Sequence, residues 1–300
     1  MGISLKQEIS FKDKLFGFIA LMKLGVVRLL LVTTVPTMIV AEEGLPSAWL
    51  IFATLFGGTL AAGGSNAINM YIDRDIDKVM ERTKERPLVT GVLSSSEALV
   101  FAIGIEVAAF IWLWVTVNLL SAALAISACL FYVFIYSLWL KRSSTSNIVI
   151  GGAAGAVPVL IGWSSVTNSL AWPPVILFLL IFLWTPPHFW ALAIRYREDY
   201  SNAEVPMLPV VVGTKVTGYR MVLYAFQVWA MSLIFVPVAD MGVIYLISSI
   251  ALGVVFTFFS FQVMLRPTRK SAMRLFGFSI SYITMLFSLI AVDQLVRSGF

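Results

Sequence analysis

The chain has 300 residues, of which 59% are hydrophobic and only 12% are charged, about half the charged share of a typical soluble domain. This composition excludes a soluble enzyme and predicts a polytopic membrane protein in which helices cross the bilayer. The net charge of +5 does not indicate a nucleic-acid partner, because the Lys and Arg residues are confined to short stretches beside apolar runs. The single cysteine, Cys129, excludes a disulfide bond within the chain.

Nine apolar runs follow a polar N-terminal segment, residues 1–22, which we expect to be cytoplasmic. Each run is near the roughly 20 residues that a membrane-spanning helix needs. We therefore expect an all-α bundle of nine transmembrane helices within a single domain, residues 23–300. The first run could begin earlier, near Phe16. The predicted spans are 26–41, 48–72, 98–117, 119–139, 148–166, 173–194, 219–238, 243–264 and 276–296.

Lys and Arg residues lie almost entirely in alternate connections of this nine-span chain. The connections 41–47 and 167–172, on the opposite side, contain neither residue type. The positive-inside rule therefore predicts a cytoplasmic N-terminus and a C-terminus on the outside. The two long connections, 73–97 and 195–218, both lie on the predicted cytoplasmic side, where long loops on a rigid scaffold often carry function.

Three polar residues, Asn69, Asp73 and Asp77, are spaced four apart at the end of the second apolar run. On a helix, steps of four residues drift by only about 40°, so these side chains line one face, whereas Asp75 points to the other side. Each of the three has an oxygen suited to a hard cation such as Mg²⁺. Basic residues follow within three turns: Arg82, Lys84 and Arg86. Acids beside bases at a membrane edge predict a site for a metal-bound phosphate.

The polar motif of the second span, together with the basic residues that follow it, resembles a motif of a known protein family. Asn69-x-x-x-Asp73-x-x-x-Asp77, followed by Arg82-Thr83-x-x-Arg86-Pro87, is similar to the first aspartate-rich motif of the UbiA-type intramembrane prenyltransferases. The resemblance implies nine transmembrane helices around a central cavity, with the aspartate loops on the cytoplasmic side. It also implies that the carboxylates bind Mg²⁺, which holds the diphosphate of an isoprenyl donor. We add Lys141, Arg142 and Arg197 to the predicted diphosphate-binding residues.

The second long loop departs from the family pattern, because Asp199 has no second aspartate four residues later. The stretches TPPHFWALA (185–193) and DYxxAxVPMLPVV (199–211) instead resemble one subgroup, the protoheme IX farnesyltransferases. That resemblance implies transfer of farnesyl from farnesyl diphosphate to a vinyl group of protoheme IX, with addition of water, for the biogenesis of haem–copper oxidases. It also implies a bacterial cytoplasmic membrane as the location, and haem A or oxidase assembly proteins as partners beside the lipid bilayer.

His188 is the only histidine, and it directly follows two prolines in the sixth predicted span. It is interpreted as a haem contact, either as an iron ligand or as a hydrogen-bond partner of a propionate, with a purely structural core role as the alternative. Asp199 is a catalytic candidate, and with Glu198 and Tyr200 it is a candidate by position for activating the water. Glu106 and Asp293 are acids inside apolar runs, where acids are functional candidates; Asp293 could pair with Arg297.

Two other functions remain open from the sequence. The nearer one is a UbiA-type enzyme that prenylates an aromatic acceptor such as 4-hydroxybenzoate, against which the missing second aspartate pair and the His188 region argue. The more distant one is a secondary transporter, which would place charged residues near mid-membrane in several spans. Here most acids cluster at one membrane edge beside bases.

Overall fold

The computed structural model describes residues 9–299, and all the regular secondary structure within that range is helical. In chain order the helices are α1 (Phe11–Leu21), α2 (Leu24–Glu42), α3 (Ala48–Ile72), α4 (Arg74–Val79), α5 (Pro87–Thr90), α6 (Ser95–Thr116), α7 (Leu119–Leu130), a π-helix (Phe131–Leu140), α8 (Lys141–Ser143), α9 (Asn147–Thr167), α10 (Trp172–Arg195), α11 (Arg197–Asn202), α12 (Leu208–Val211), α13 (Gly213–Val238), α14 (Val243–Leu265) and α15 (Arg269–Arg297). Five of the helices within that range, α1, α4, α5, α11 and α12, are short connecting or surface elements, and the rest form the bundle.

Nine segments of residues 9–299 are long and apolar enough to cross a membrane, which confirms the predicted spans. Eight are single helices, and the fourth joins α7, the π-helix and α8 into one segment, Leu119–Ser143. The third begins at a capping box, in which the Ser94 side chain accepts from the Glu97 N–H and the Glu97 carboxylate accepts in return.

The first span does not extend back to Phe16. Residues 11–21 form the separate helix α1, and the chain then turns at Lys23, whose backbone has a left-handed φ of 51° and ψ of 52°. A non-glycine residue in this conformation interrupts a right-handed helix. Met22 and Lys23 therefore form the short connection between α1 and α2.

The helices enclose an apolar cavity of about 430 Å³, lined by α2, α3, α9, α10, α15 and the fourth span. The expected central cavity is therefore present. Close helix contacts support its walls: a Cβ added to Gly151 would overlap Cδ2 of Tyr136, and one added to Gly64 would lie 2.6 Å from Cγ of Glu106. Only glycine allows these helices to approach so closely.

Asp293 has a structural role at the end of the bundle opposite α4 and α5. Its buried carboxylate accepts hydrogen bonds from the backbone N–H groups of Gly242 (2.6 Å) and Tyr245 (3.0 Å), so it caps the start of α14. The expected pairing with Arg297 was wrong, because Arg297 pairs with Asp240 at 2.6 Å instead. Backbone donors at a helix start are better partners for a buried acid than a half-exposed guanidinium.

Candidate active site

The polar face predicted at the end of the second span forms as expected. α3 ends at Ile72 and α4 begins at Arg74, yet the helical hydrogen bonds continue through the junction, from the Asp73 N–H to the Asn69 carbonyl (2.9 Å) and from the Asp77 N–H to the Asp73 carbonyl (2.8 Å). The Asn69 amide donates to the Asp73 carboxylate at 2.7 Å. Both carboxylates are buried, with residue exposures of 0% for Asp73 and 2% for Asp77.

Three basic side chains from distant parts of the chain converge on this face. Arg86 donates to Asp77 at 2.6 Å, and Lys141 forms an ion pair with Asp73. Lys23 donates to the Asn69 side-chain oxygen at 2.8 Å. Sequence reasoning missed Lys23 as a site residue and used it only as a marker of orientation. The signal available was a single lysine immediately before the first apolar run.

The site carries more positive than negative charge. Lys23, Arg86 and Lys141 face only two carboxylates. Burial, together with repulsion from Arg86 and Lys141, lowers the pKa of Lys23 to about 7. A bound anion would relieve this repulsion, so the electrostatics of the site favour a negatively charged ligand.

The π-helix determines how Lys141 reaches the site. Its hydrogen bonds join residues five apart, so residues five apart share a face; in an α-helix they would be about 140° apart. Tyr136, which lines the cavity, and Lys141, which pairs with Asp73, are five residues apart. Ser137 accepts from the Asn69 amide at 3.1 Å and donates to the Tyr132 carbonyl at 2.9 Å. The π-helix thus lets one span contribute to both the charged site and the cavity wall.

The residues present fit a magnesium ion held partly by substrate. Oδ1 of Asp73 is buried without a hydrogen-bond partner, so one carboxylate oxygen is free to bind a ligand. Residues 9–299 contain no group of three or more His, Cys, Asp or Glu side chains arranged for a metal. Mg²⁺ commonly uses one or two carboxylates and completes its shell with phosphate oxygens and water. The Asn69 oxygen already accepts from Lys23, so the residue orients Asp73 and Lys23 in this conformation.

Not all of the predicted diphosphate-binding residues come together. Lys84 is exposed and pairs with Glu81. Arg142 makes two 2.7 Å contacts with Asp75, and these hold the pKa of that carboxyl well below its usual range. Arg197 is exposed on α11. Lys84 and Arg142 are therefore paired with other carboxylates, and Arg197 lies exposed on α11. None of the three is among the side chains that contact Asp73 or Asp77.

Arg82 and Asp199 connect the two long loops. An Asp199 carboxylate oxygen lies 3.4 Å from the backbone nitrogen of Arg82, and the Arg82 guanidinium lies 5.6 Å from the ring centre of Tyr196. The second loop therefore packs over the first loop beside the carboxylates. Asp199 is placed to hold this loop pair together.

His188 lines the cavity on α10 and is held between aromatic rings, Trp184 at 4.4 Å and Phe276 at 4.6 Å between centroids. Its Nδ1 lies 2.7 Å from the Ser279 hydroxyl, which itself donates to the Phe276 carbonyl at 2.6 Å. A hydroxyl has only one proton, so a Ser279 hydroxyl that donates to Phe276 accepts from Nδ1–H of His188. In the neutral imidazole, Nε2 then carries the lone pair that an iron ligand requires.

Glu106 is buried in α6 and accepts a hydrogen bond of 2.8 Å from Ser65, which lines the cavity. This satisfied pair joins α3 to α6 at the cavity wall. Glu106 therefore lies behind the wall rather than on its surface.

Known proteins are similar to this chain over most of its length. The model of the UbiA prenyltransferase family matches residues 30–289. The protoheme IX farnesyltransferase of Clavibacter michiganensis is 50% identical over 97% of this chain and 96% of its own length. That of Frankia alni is 52% identical over 94% of this chain and 99% of its own.

Solved structures share the fold at low sequence identity. A structure reported for digeranylgeranylglyceryl phosphate synthase in membranes has a TM-score of 0.78 at 18% identity, over 95% of this chain and 99% of its own. A UbiA homologue from Archaeoglobus fulgidus bound to DMAPP and Mg²⁺ has a TM-score of 0.67 at 16% identity, over 90% and 99%. The family match and the full-length relatives together show that this chain belongs to the UbiA prenyltransferase family.

Proposed function

We propose that this chain transfers the farnesyl group of farnesyl diphosphate to a vinyl group of protoheme IX and adds water, giving haem O and diphosphate. The observation that carries the proposal is a buried pair of carboxylates, crowded by three cations, at the end of an apolar cavity that contains His188. Relatives about half identical over nearly the whole chain are named for this activity.

The donor diphosphate occupies the charged face. Asp73 and Asp77 would hold Mg²⁺, which neutralises the charge on a leaving diphosphate when bound. Lys23, Arg86 and Lys141 surround the same face and bind the remaining phosphate charge. These groups act as fixed electrostatic partners of charge that develops as the donor ionises. Lys84 and Arg142 keep their own acidic partners and are left out of the proposed site.

The prenyl chain and the acceptor meet in the apolar cavity. The C1–O bond of farnesyl diphosphate breaks and its electron pair leaves on diphosphate. The vinyl π electrons form the new bond to C1, and a water oxygen bonds to the adjacent carbon and releases one proton. The apolar cavity wall, with the facing rings of Tyr132 and Tyr136 5.3 Å apart, keeps other water from quenching the allylic cation.

His188 recognises the haem substrate. Nδ1–H is fixed by Ser279, and the ring is fixed between Trp184 and Phe276, so Nε2 would be available to bind the haem iron. The small residues of α9, including Gly155 with no atom within 4 Å of an added Cβ, leave room for a flat macrocycle. Haem is a substrate in this reaction and not a resident cofactor.

The proposed location is the cytoplasmic membrane of a bacterium, with the carboxylate face towards the cytoplasm. The Lys and Arg residues of the loops around Asp73 and Asp77 support this orientation through the positive-inside rule. Haem A or oxidase assembly proteins are the expected partners, because the product serves haem–copper oxidases.

The proposal predicts that haem and farnesyl diphosphate bind to separate groups, which can be tested by substitution. We expect His188→Ala to weaken the binding of haem B, measured by the Soret shift of the protein in lipid nanodiscs. The KM for farnesyl diphosphate should change little. Ser279→Ala, which frees Nδ1 but keeps the ring, should weaken haem binding less. Unchanged haem affinity and turnover in well-folded His188→Ala protein would exclude the haem role of this residue.

A further inference from the structure

Helix α1 has an apolar face that no part of residues 9–299 covers. The helix starts at a capping box, in which Ser10 and Asp13 bond reciprocally, so its first turn is well defined. Phe11 is 83% exposed and Phe16 is 58% exposed. Ile9, Leu15 and Ile19 are also exposed beside them. An isolated helix of eleven residues is marginal in water, so one with an open apolar face needs a second surface to rest on.

The opposite face of α1 docks on the cytoplasmic ends, as proposed above, of two spans. Gly17 packs against Leu93, and Leu21 is fully buried in the cluster that contains Met70 near the end of α3. Lys14 pairs with Glu97 in the first turn of α6 at 2.6 Å. These contacts place α1 level with the ends of the spans, at the depth where a bilayer has its headgroups.

The lipid-facing surface of the bundle begins close to α1, where Lys14 meets Glu97. Immediately beyond Glu97, α6 exposes Val100 (73%) and Ile103 (51%), which face lipid in a membrane. Lys12, whose ammonium lies 6.0 Å from the ring centre of Phe16, places a cation beside the aromatic side chains. Aromatic residues with lysines at a span end are typical of a helix lying in the membrane interface.

The end of α1 is coupled directly to the charged site. Met22 separates α1 from Lys23, its carbonyl accepts from the Asn66 side chain at 3.1 Å, and it fills the space left by Gly63. Lys23 then takes its left-handed backbone and donates to Asn69. Such a backbone persists only where neighbouring structure holds it. Here the docked helix on one side and the first span on the other do so.

We propose that α1 is an in-plane anchor in the headgroup region of the bilayer, and that its seating there holds Lys23 at the carboxylate face. The occupant of the open face is the lipid interface, with anionic headgroups near the lysines. The membrane placement stands on α1 alone, whereas the effect on Lys23 rests on the diphosphate site proposed above.

The placement is tested by spin labelling, since Cys129 is the single native cysteine and is buried. Phe11→Cys and, as an aqueous control, Glu85→Cys on the exposed loop are made in a Cys129→Ala background and labelled with a nitroxide in nanodiscs. We expect the label at residue 11 to be relaxed by oxygen more than by a water-soluble nickel chelate, and the control to show the reverse. A water-like label at residue 11, or one shielded from both agents as by a protein partner, would overturn the anchor.

The coupling to Lys23 is tested by a double-mutant cycle. Phe11→Ser with Phe16→Ser should raise the Kd for inorganic diphosphate with Mg²⁺ roughly tenfold, the loss of about one hydrogen bond to a charged group. The effect should vanish in a Lys23→Ala background. Phe258→Ser on α14 is the matched control, because Phe258 is 55% exposed and Phe16 is 58% exposed. This substitution should leave the Kd unchanged. Additive effects would refute the coupling. If the label at residue 11 is lipid-exposed but the wild-type protein shows no farnesyl transfer, the result would count against the proposed reaction and not against the anchor.

Discussion

Replacing Asp73 and Asp75 one at a time by asparagine compares a carboxylate of the proposed site, Asp73, with its exposed neighbour, Asp75. Each aspartate pairs with a basic residue at the same end of the fourth span, Asp73 with Lys141 and Asp75 with Arg142. The Asp73 side chain is 0% exposed, whereas that of Asp75 is 61% exposed. The two substitutions therefore remove the same charge from opposite faces of one helical segment.

The expected losses differ in size. Losing a fixed electrostatic group at a reacting centre costs about 3–4 kcal/mol of barrier, so Asp73→Asn should lower kcat/KM roughly 100- to 1000-fold. It also leaves Lys141 with little exposure and no partner, a loss of up to about 3–5 kcal/mol of stability when the charge is fully buried. Asp75→Asn breaks an exposed pair worth about 0.2–1 kcal/mol, so activity should stay within about threefold.

The assay is farnesyl transfer by protein in nanodiscs, titrated with farnesyl diphosphate and Mg²⁺, with thermal denaturation of each variant. A double variant, Asp73→Asn with Lys141→Gln, removes the unpaired charge and should recover stability without recovering activity. Equal activity losses in folded Asp73→Asn and Asp75→Asn proteins would refute the assignment of the carboxylate face.

Three further outcomes are expected. Gly151→Ala forces a Cβ into Tyr136 and should lower thermal stability by about 1–3 kcal/mol, whereas Gly155→Ala meets open space and should leave the melting temperature unchanged; equal melting temperatures for the two variants would contradict the packing. Asp293→Ala removes two backbone hydrogen bonds and should lower stability by about 1–2 kcal/mol while the KM for farnesyl diphosphate stays constant; a changed KM would place Asp293 in the reaction. A reporter fused to the C-terminus should be active only outside the cytoplasm, and a cytoplasmic signal would break the proposed orientation.

The sequence predicts the spans well because the bilayer imposes one rule on every segment. Backbone groups cannot stay unpaired in hydrocarbon, so a long apolar run must become a helix. The spacing of Asn69, Asp73 and Asp77 predicts their common face for a similar reason, since local helical geometry alone determines it.

What the sequence could not predict depends on contacts between distant segments. Lys23 reaches Asn69 only because α1 and α2 meet at a left-handed residue, and no local pattern marks that turn. Lys84 lies closer in sequence to the aspartates, yet it pairs with Glu81 at the surface. Lys141 shares a face with Tyr136 only because the fourth span is a π-helix there, which hydrophobic runs do not reveal.

The most direct test of the proposed function is mass spectrometry of the product formed from haem B, farnesyl diphosphate and Mg²⁺ by the purified protein in nanodiscs. We predict a haem heavier by one farnesyl group and one hydroxyl, formed by the wild-type protein and absent with Asp73→Asn. Unmodified haem B in the wild-type reaction, together with prenyl transfer when 4-hydroxybenzoate is supplied in place of haem B, would contradict the proposed acceptor.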